Sequence, residues 1–579
     1  MLLMAPQRKK PFSGKAKKEQ LKAKKQGKRM PSLVMSRSSD DDEPAVQRIN
    51  RQPTKGPGKS NVNRFNLQFR KDSEAEVKKG KEEATKSLVP VKPEELEIEA
   101  EKYFPPDLKF PTRPPWDFSM SKEELNAIEN RHFSEYLKNV EEKFRDENLS
   151  YFELNLETWR QLWRVLEMSD ILLIIVDIRY PALMFPPYLY DYITKELNKS
   201  IILVLNKIDL ALPSVTVAWK NYFKTKYPKM EIVTFTSFPS YNLLQCSSVK
   251  SLGLQVRRRK VKMRMAAEGA QKLYESCKNI IKDEVDISSW NEKIKEEMNL
   301  EYDDQVEIGE TINLKSQDTN FYEFKKFEGG MVTIGCIGQP NVGKSSLLNA
   351  LMGKKVVSVS RTPGHTKHFQ TIFLTSNVRL CDCPGLVFPS RVPKVLQVLM
   401  GSYPIAQLRE PYTSIKYLAE RIDLVKMLKL EHPTNDDEWS AIDICDGWAL
   451  KRKFYTARTA RLDTYRAANN ILRITLDGRI ILCLLPPGYV AEKEKWESHP
   501  EVESVDWIMA REQNIEENSD LSTEDEESED GEKDFRARRI FAGTSKSRIE
   551  EEKDDDGDDE EEESDDFTTG NKFAALHDA

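Results

Sequence analysis

Cysteine, histidine and long apolar runs are scarce in this chain. Its 579 residues include 7 cysteines and 6 histidines, and no two cysteines have the C-x-x-C spacing of a zinc site. We therefore expect reduced thiols and no metal held by cysteines. No apolar run approaches the roughly 18–20 residues that span a bilayer; the run 171–176 is among the longest. The first residues also lack the apolar core of a signal peptide. The sequence thus predicts a soluble intracellular protein without a membrane segment.

Charge is unevenly distributed, although the net charge is only −6. Residues 1–30 are rich in lysine and arginine and contain one acid, Glu19, whereas residues 554–566 are nearly all acidic. We interpret the first stretch as a basic arm for nucleic acid or the nuclear import machinery and the second as an acidic tail; solvated charge is the plain alternative for the arm. Serines beside acidic residues in the tail are candidate phosphorylation sites: Ser519, Ser522, Ser528 and Ser564.

Composition and periodicity divide the chain into four parts. We predict a basic, mostly disordered arm over 1–100, an α/β domain over 101–390, a mostly α-helical domain over 391–510 and an acidic disordered tail over 511–579. In the α/β part, short apolar runs alternate with helical patterns, which predicts a parallel sheet covered by helices on both faces. Ser121 and Glu124 predict a capping box that begins a helix. The helical part is predicted to contain helices over 413–429, 439–452 and 463–473, followed by an apolar strand over 480–485. An inserted connector occupies about 240–330 and contains a basic cluster at 257–264. We interpret this cluster as a solvated surface, with contact to RNA phosphate as the alternative.

The most specific motif is a loop between a predicted strand and a predicted helix. It runs Gly338-Gln-Pro-Asn-Val-Gly343-Lys344-Ser345 and fits G-x-x-x-x-G-K-[ST]. The two glycines leave room for a phosphate chain, Lys344 supplies charge to the β- and γ-phosphates, and Ser345 supplies a hydroxyl to Mg²⁺. A β–α turn that binds nothing is disfavoured by the Lys-Ser pair and by both flanking elements. The candidate phosphate-binding residues are Gly338, Asn341, Val342, Gly343, Lys344, Ser345 and Ser346.

A second motif, Asn206-Lys207-Ile-Asp209, follows the predicted strand 201–205 and predicts the choice of base. A carboxylate at Asp209 can accept both the N1–H and the N2–H₂ donors of guanine, and adenine does not offer these donors. We expect Asn206 to brace the loop and the stem of Lys207 to pack along the base. Thr236 and Ser237, after the third strand, are the candidates for a backbone N–H to guanine O6, although they depart from the common Ser-Ala pattern.

The third motif, Asp382-Cys-Pro-Gly385, closes the predicted strand 378–381. Asp382 is placed to hold a Mg²⁺-bound water, and the Gly385 N–H to follow the γ-phosphate. Thr366 is the candidate switch hydroxyl that completes the Mg²⁺ shell, with Thr362 as a weaker rival. The predicted metal-site residues are therefore Ser345, Thr366 and Asp382. The nearby His365 and His368 are interpreted as residues without a catalytic role.

The order of these loops along the chain is unusual. In most GTPases the P-loop comes first, whereas here the guanine loops at 206 and 236 precede the loops at 338, 366 and 382. Because all five loops would emerge at the carboxyl edge of one sheet, the pocket survives the rearrangement. We therefore predict a P-loop GTPase fold with circularly permuted strand order. Since the chain runs from Gly385 directly into the helical domain, we hypothesise that γ-phosphate sensing moves or orders that domain.

The permuted order and several segments resemble the YlqF/YawG family of circularly permuted GTPases. The segments are GQPNVGKSSLLNAL, RTPGHTKHFQT, LCDCPGLVFPS, TYRAANNILR and the Val176-Asp177-Ile-Arg-Tyr-Pro181 turn, and the similarity covers about 100–505. The resemblance implies a factor that is regulated by GTP/GDP with Mg²⁺, whose relatives mostly act in ribosomal-subunit assembly. It also implies potassium at Asn341 and rRNA or ribosomal proteins as partners. From the basic arm and the reduced thiols we expect a location in the nucleus, including the nucleolus, and in the cytoplasm.

Leu386 follows the third motif at a position where many GTPases carry a water-orienting glutamine, so no catalytic residue is assigned. Three hypotheses stay open. The first is a slow GTPase switch that acts on ribonucleoprotein or pre-ribosomal particles. The second is a GTP-binding scaffold or signalling adaptor with negligible hydrolysis. The third, an ATPase of another P-loop class, conflicts with Asp209. Oligomeric state is not predicted.

Overall fold

The computed structural model describes residues 72–117, 119–144, 149–236, 252–282, 284–299, 325–353, 356–357, 370–434, 438–456 and 461–506. The predictions for the basic arm up to 71, for Ser237 and Thr366, and for the acidic tail beyond 506 lie outside these residues.

A six-stranded sheet forms the centre of the described structure. Its strands are β1 Ile171–Asp177, β2 Ser200–Asn206, β3 Glu231–Thr234, β4 Val332–Ile337, β5 Gln370–Phe373 and β6 Val378–Asp382. The spatial order is β3-β2-β1-β4-β6-β5. All neighbours are parallel except β5, which runs antiparallel to β6 at the edge. The predicted parallel sheet is confirmed for five strands, and the antiparallel edge strand was not predicted.

The register of the sheet places the motifs along one edge. Asp177 at the end of β1 pairs with Asn206 at the end of β2, and β1 also pairs with β4, which leads into the P-loop. Because parallel strands direct their carboxyl ends the same way, the base loop and the phosphate loop lie on either side of the end of β1. Both β1 and β4 are buried along their whole length, as their continuous apolar runs require.

Ten α-helices precede or cover the sheet in the described ranges. They are α1 Glu74–Ala84, α2 Ala100–Tyr103, α3 Lys122–Lys143, α4 Leu156–Met168, α5 Pro181–Met184, α6 Pro187–Asp191, α7 Pro213–Lys226, α8 Leu252–Ile281, α9 Ser288–Asn299 and α10 Lys344–Met352. Ser121 and Glu124 form a capping box that begins α3. On α4, Trp159, Leu162 and Trp163 are buried, because the apolar stripe of this helix faces the core.

Seven further α-helices follow β6 in the described ranges. They are α11 Lys394–Met400, α12 Tyr412–Ala419, α13 Leu424–Leu428, α14 Ala441–Arg452, α15 Thr464–Leu476, α16 Lys493–Glu497 and α17 Glu501–Asp506. The predicted helix over 413–429 is divided into α12 and α13. The predicted strand over 480–485 is wrong: this stretch makes only an isolated bridge between Leu485 and Glu97. Among the described helices, none combines the length and apolarity needed to cross a membrane.

The helices after β6 share a continuous hydrophobic core with the sheet. Ile415 on α12, Trp448 on α14 and Ile471 on α15 belong to the same buried cluster as Ile174 of β1. The described helical part is therefore packed against the α/β part. The division at residue 390 stays a prediction.

The stretch before α3 differs from its prediction. The sequence predicts a mostly disordered arm over 1–100, but α1 is helical and the chain after it is hydrogen-bonded to segments between the C-terminal helices. The backbone N–H of Leu88 donates to the Trp439 carbonyl at 2.9 Å, and that of Ile98 donates to the Leu485 carbonyl at 3.0 Å. Partners this distant in sequence satisfy the backbone of a segment that has few apolar residues of its own, and composition does not reveal them.

Candidate nucleotide-binding site

The described candidate residues lie in loops at the carboxyl ends of β2, β3, β4 and β6 or at the start of α10. They are Asn206, Lys207, Asp209, Thr236, Gly338, Asn341, Val342, Gly343, Lys344, Ser345, Ser346, Asp382 and Gly385. Four regions that are far apart in the sequence therefore meet at one edge of the sheet.

Glycine is required at two positions of the P-loop because the backbone approaches its neighbours closely. A Cβ added to Gly338 would lie 2.5 Å from the Ile175 carbonyl oxygen. Gly343 has φ +99°, and a Cβ there would lie 2.4 Å from Asn206 Nδ2. The P-loop backbone therefore lies close to β1 at Gly338 and close to the base loop at Gly343. The helix α10 begins directly after Gly343, which places its N-terminal N–H groups at the same point.

The Lys344 ammonium lies inside the loop. Its Nζ donates to the carbonyl oxygens of Gly338 at 3.0 Å and Gln339 at 2.8 Å. Burial lowers the pKa of Lys344, while the nearby Asp382 carboxylate acts in the opposite direction. A charged group held in this way is positioned to exchange carbonyl oxygens for phosphate oxygens.

The candidate metal site joins the start of α10 to the end of β6. Ser345 Oγ donates to Asp382 Oδ2 at 3.2 Å, whereas the buried Oδ1 of Asp382 has no hydrogen-bond partner. Burial raises the pKa of Asp382 to about 6, with Lys344 and Ser345 opposing the rise. An unpartnered buried carboxylate oxygen beside a hydroxyl fits a hydrated Mg²⁺. No group of three or more His, Cys, Asp or Glu that could hold a metal occurs in the described ranges, and such a group is not needed where phosphates supply the other ligands.

The base loop is connected to the P-loop and to the loop after β3. Asn206 Nδ2 donates to the Val342 carbonyl at 2.8 Å, so the predicted bracing by Asn206 is observed. Thr236 Oγ1 donates to Asp209 Oδ1 at 2.8 Å, and both side chains are buried. The Thr236 hydroxyl therefore orients the carboxylate that is predicted to select guanine.

Asp177 and Arg179 lie at the end of β1 and are two functional candidates that the sequence did not indicate. Lys207 has φ +59° and donates from Nζ to Asp177 Oδ2 at 2.8 Å. Burial by itself would raise the pKa of Asp177, but Arg179 and Lys207 hold it well below its usual range. The available signal was an acid and a base two residues apart, directly after a fully apolar strand.

Two P-loop side chains, Asn341 and Gln339, are hydrogen-bonded to the segment that follows α11. Asn341, at φ +60°, donates from Nδ2 to the Gly401 carbonyl at 2.8 Å. The buried Gln339 accepts a hydrogen bond from Ser402 Oγ at 2.6 Å and donates to the Leu183 carbonyl at 3.2 Å. Neither Gln339 nor Ser402 was a candidate from the sequence. Potassium at Asn341 stays a prediction.

The loop after β6 packs directly on the P-loop. A Cβ on Gly385 would lie 2.8 Å from Pro340 Cα, and the Leu386 N–H donates to the Gly338 carbonyl at 3.2 Å. The Leu386 side chain is fully buried in the hydrophobic core. It therefore contributes to packing and cannot orient a water molecule.

Comparisons with known proteins agree with this geometry. Residues 333–437 match the family described as 50S ribosome-binding GTPase. Guanine nucleotide-binding protein-like 1 of Mus musculus is 46% identical over 537 residues, which cover 85% of this chain and 88% of the mouse protein. The large subunit GTPase 1 homolog of Bos taurus is 30% identical over 446 residues, which cover 66% of this chain and 67% of the bovine protein.

Among solved structures, GNP-bound YlqF from T. maritima is 17% identical with a TM-score of 0.32 and covers 57% of this chain and 97% of that chain. The fold assignment rests instead on the sheet order and the loop positions given above. Identity to the mouse protein over most of both chains establishes the relationship. The chain belongs to the family of guanine nucleotide-binding protein-like 1, GTP-binding proteins with a circularly permuted P-loop GTPase fold.

Proposed function

We propose that this protein is a GTP-binding switch that hydrolyses GTP slowly and acts on ribonucleoprotein or pre-ribosomal particles. The observation that carries the nucleotide part is the hydrogen bond from Asn206 to the Val342 carbonyl. It places the loop of Asp209 beside the loop of Lys344, so that one guanine nucleotide contacts both. The carboxylate accepts from the base, and the ammonium contacts the β- and γ-phosphates.

Ser345 and Asp382 would hold Mg²⁺ at the phosphates. When bound, the ion supplies positive charge to the β- and γ-phosphate oxygens. Hydrolysis is slow in this proposal because Leu386 is buried where a glutamine would orient water. Turnover then depends on K⁺ at Asn341, on another loop or on a partner.

The particle-binding part has two supports. The first is the similarity to the 50S ribosome-binding GTPase family and to the bovine large subunit GTPase 1 homolog. The second is a surface at the end of α14 and the start of α15, where Lys451, Lys453, Arg461 and Arg466 are exposed and Tyr455 is 49% exposed. Cations that neutralise phosphate beside an aromatic ring that stacks on bases are typical of RNA-binding surfaces.

Single-turnover GTP hydrolysis separates the switch from its alternative. The assay uses the full chain in K⁺ or Na⁺, with and without ribosomal subunits, and Lys344→Ala as the non-binding control. Slow hydrolysis that ribosomal subunits or K⁺ accelerate supports the switch. Tight GTP binding with no turnover under any condition supports a GTP-binding scaffold or signalling adaptor, which the buried Leu386 favours.

We also propose that the protein resides in the nucleus, including the nucleolus, and in the cytoplasm, because residues 1–30 are strongly basic. Deletion of 1–30 should reduce nuclear accumulation of a tagged chain in imaging. An unchanged distribution would indicate that this arm is solvated charge. Crosslinking the GTP-bound form in cells tests the partner directly: recovery of rRNA and ribosomal proteins is expected, and their absence contradicts the particle proposal.

A further inference from the structure

The end of β1 lies between the base loop and the last part of the helical region. On one side, Asp177 accepts a hydrogen bond from Lys207 Nζ at 2.8 Å, and the Ile178 N–H donates to the Asn206 carbonyl at 3.0 Å. Two of the four residues in the guanine-selecting motif are therefore positioned by the end of β1.

On the other side, Arg179 connects the turn after β1 to helix α15 by hydrogen bonds. Its Nε and one terminal nitrogen donate to the two oxygens of Asp177 at 3.0 and 2.8 Å, and the other terminal nitrogen donates to the Thr475 carbonyl at 3.0 Å. The Leu484 N–H donates to the Arg179 carbonyl at 2.9 Å. The Arg179 side chain is 1% exposed. A planar fork can make this three-point contact, whereas a lysine ammonium cannot reproduce its geometry.

A second contact joins the same two regions at the far end of the base loop. The Cys483 thiol donates to the Leu210 carbonyl at 3.2 Å. Gly478 has φ +75°, and a Cβ there would lie 2.7 Å from Leu210 Cδ2. The segment 475–484 thus contacts the base loop next to Asp209 and, through Arg179, next to Lys207.

We propose that Arg179 is a positioning residue for guanine recognition and that it couples occupancy of the base site to docking of the segment 475–484. Arg179 fixes Asp177, and Asp177 holds the Lys207 stem along the base. Since GDP and GTP carry the same base, both nucleotides strengthen this docking. By reciprocity, a partner that displaces the segment weakens guanine-nucleotide binding. The inference rests on the guanine-binding role of the 206–209 loop and requires neither hydrolysis nor RNA binding.

This coupling differs from γ-phosphate sensing. The contacts of Asn341 and Gln339 with Gly401 and Ser402 belong to the phosphate side of the pocket. A signal through those contacts would depend on the phosphates and would not require a base. Inorganic tripolyphosphate, which has the phosphates of GTP but no base, therefore distinguishes the two connections.

Amide hydrogen exchange of the full wild-type chain tests the coupling. Exchange at 474–485 is compared without ligand and with saturating GDP, a non-hydrolysable GTP analogue, or tripolyphosphate, each with Mg²⁺. We expect equal protection by GDP and the analogue and none by tripolyphosphate. Protection by the analogue alone, equal protection by tripolyphosphate, or no protection by either nucleotide would overturn the inference.

Substitution of Arg179 tests the positioning role itself. Arg179→Lys keeps the charge but loses the fork; we expect GDP affinity to fall roughly tenfold while tripolyphosphate affinity is unchanged. The matched control is Arg160→Lys, because the Arg160 side chain is also largely buried, at 13% exposed, and is paired with two carboxylates, Glu129 and Glu157, away from the loops. Calorimetric titration measures both ligands.

Two outcomes would contradict the positioning role. One is an equal loss of GDP and tripolyphosphate affinity in Arg179→Lys, which would indicate a general structural role. The other is additivity with Lys207→Met, because a role exerted through Lys207 predicts a smaller effect of Arg179→Lys in that background. Wild-type GDP affinity is measured in the same titrations, so a failure of coupling is distinguishable from a failure of guanine binding. If Arg179→Lys does not fold, the wild-type exchange experiment decides.

Discussion

Asn206 Nδ2 lies 2.8 Å from the carbonyl oxygen of Val342, and this hydrogen bond joins two loops that are 136 residues apart in the sequence. Both residues are fully buried. The bond connects the loop that carries the base-selecting carboxylate to the loop that carries the phosphate-binding lysine. In this permuted chain the two halves of the pocket are held together by a direct side-chain contact, although their order along the chain is reversed.

Asn206→Ala should weaken GDP binding roughly tenfold, because the Val342 carbonyl loses its partner and the two loops are no longer held in register. Titration calorimetry measures the change. The matched control is Asn377→Ala, since Asn377 also donates from Nδ2 to a carbonyl but lies on the surface. Equal GDP affinity of Asn206→Ala and wild type would show that this contact does not organise the pocket.

Asp209→Asn should broaden the base preference, because an amide offers only one acceptor to the two donors of guanine. The measured quantity is the ratio of GTP to ATP affinity, which we expect to fall by at least about tenfold. Thr236→Val should lower the same ratio less, since it removes only the hydroxyl that orients the carboxylate. An unaltered ratio in Asp209→Asn would contradict the assignment of the base loop.

Ser345→Ala and Asp382→Asn should each remove most of the Mg²⁺ dependence of nucleotide binding, because their oxygens are the protein side of the candidate metal site. The experiment compares GDP affinity in Mg²⁺ and in EDTA. Ser134→Ala, on the exposed face of α3, is the control. A variant that keeps the wild-type difference between Mg²⁺ and EDTA would exclude its residue from the metal site.

Stability should depend on pH through Glu153, whose backbone N–H donates to the Val387 carbonyl at 3.0 Å beside the loop after β6. Burial raises the pKa of Glu153 to about 7, so the folded protein retains a proton that the unfolded chain releases near pH 4.5. This contribution to the free energy of unfolding is fully present below about 4.5 and is lost as the pH rises through about 7.

The isosteric variant Glu153→Gln stays neutral and should therefore gain stability relative to wild type between pH 5 and pH 8. The gain should be on the order of 1–3 kcal/mol. Urea unfolding at the two pH values measures it, with the exposed Glu135→Gln as the control. A stability difference between Glu153→Gln and wild type that does not change with pH would contradict the proposed protonation.

The elements that could be predicted from the sequence are those whose local pattern decides their environment. The apolar runs of β1 and β4 could only be buried strands, and Ser121 with Glu124 marked the start of α3. The nucleotide loops followed because their chemistry requires particular residues at fixed spacing.

Other features depended on partners that the local sequence does not show. The edge strand β5 has four residues, and Phe373 within it is 54% exposed, so it lacks the pattern of a buried strand. The apolar run 480–485 does not pair as a strand of the sheet and makes only an isolated bridge to Glu97. Arg179 contacts a carbonyl 296 residues away, which no local pattern indicates.

The most direct test is a crystal structure of the full chain with GDP and Mg²⁺. One bound nucleotide should place the guanine N1 and N2 donors about 3 Å from the Asp209 carboxylate and the β-phosphate against Lys344 Nζ. A nucleotide whose phosphates occupy the P-loop while its base lies away from Asp209 would contradict the account.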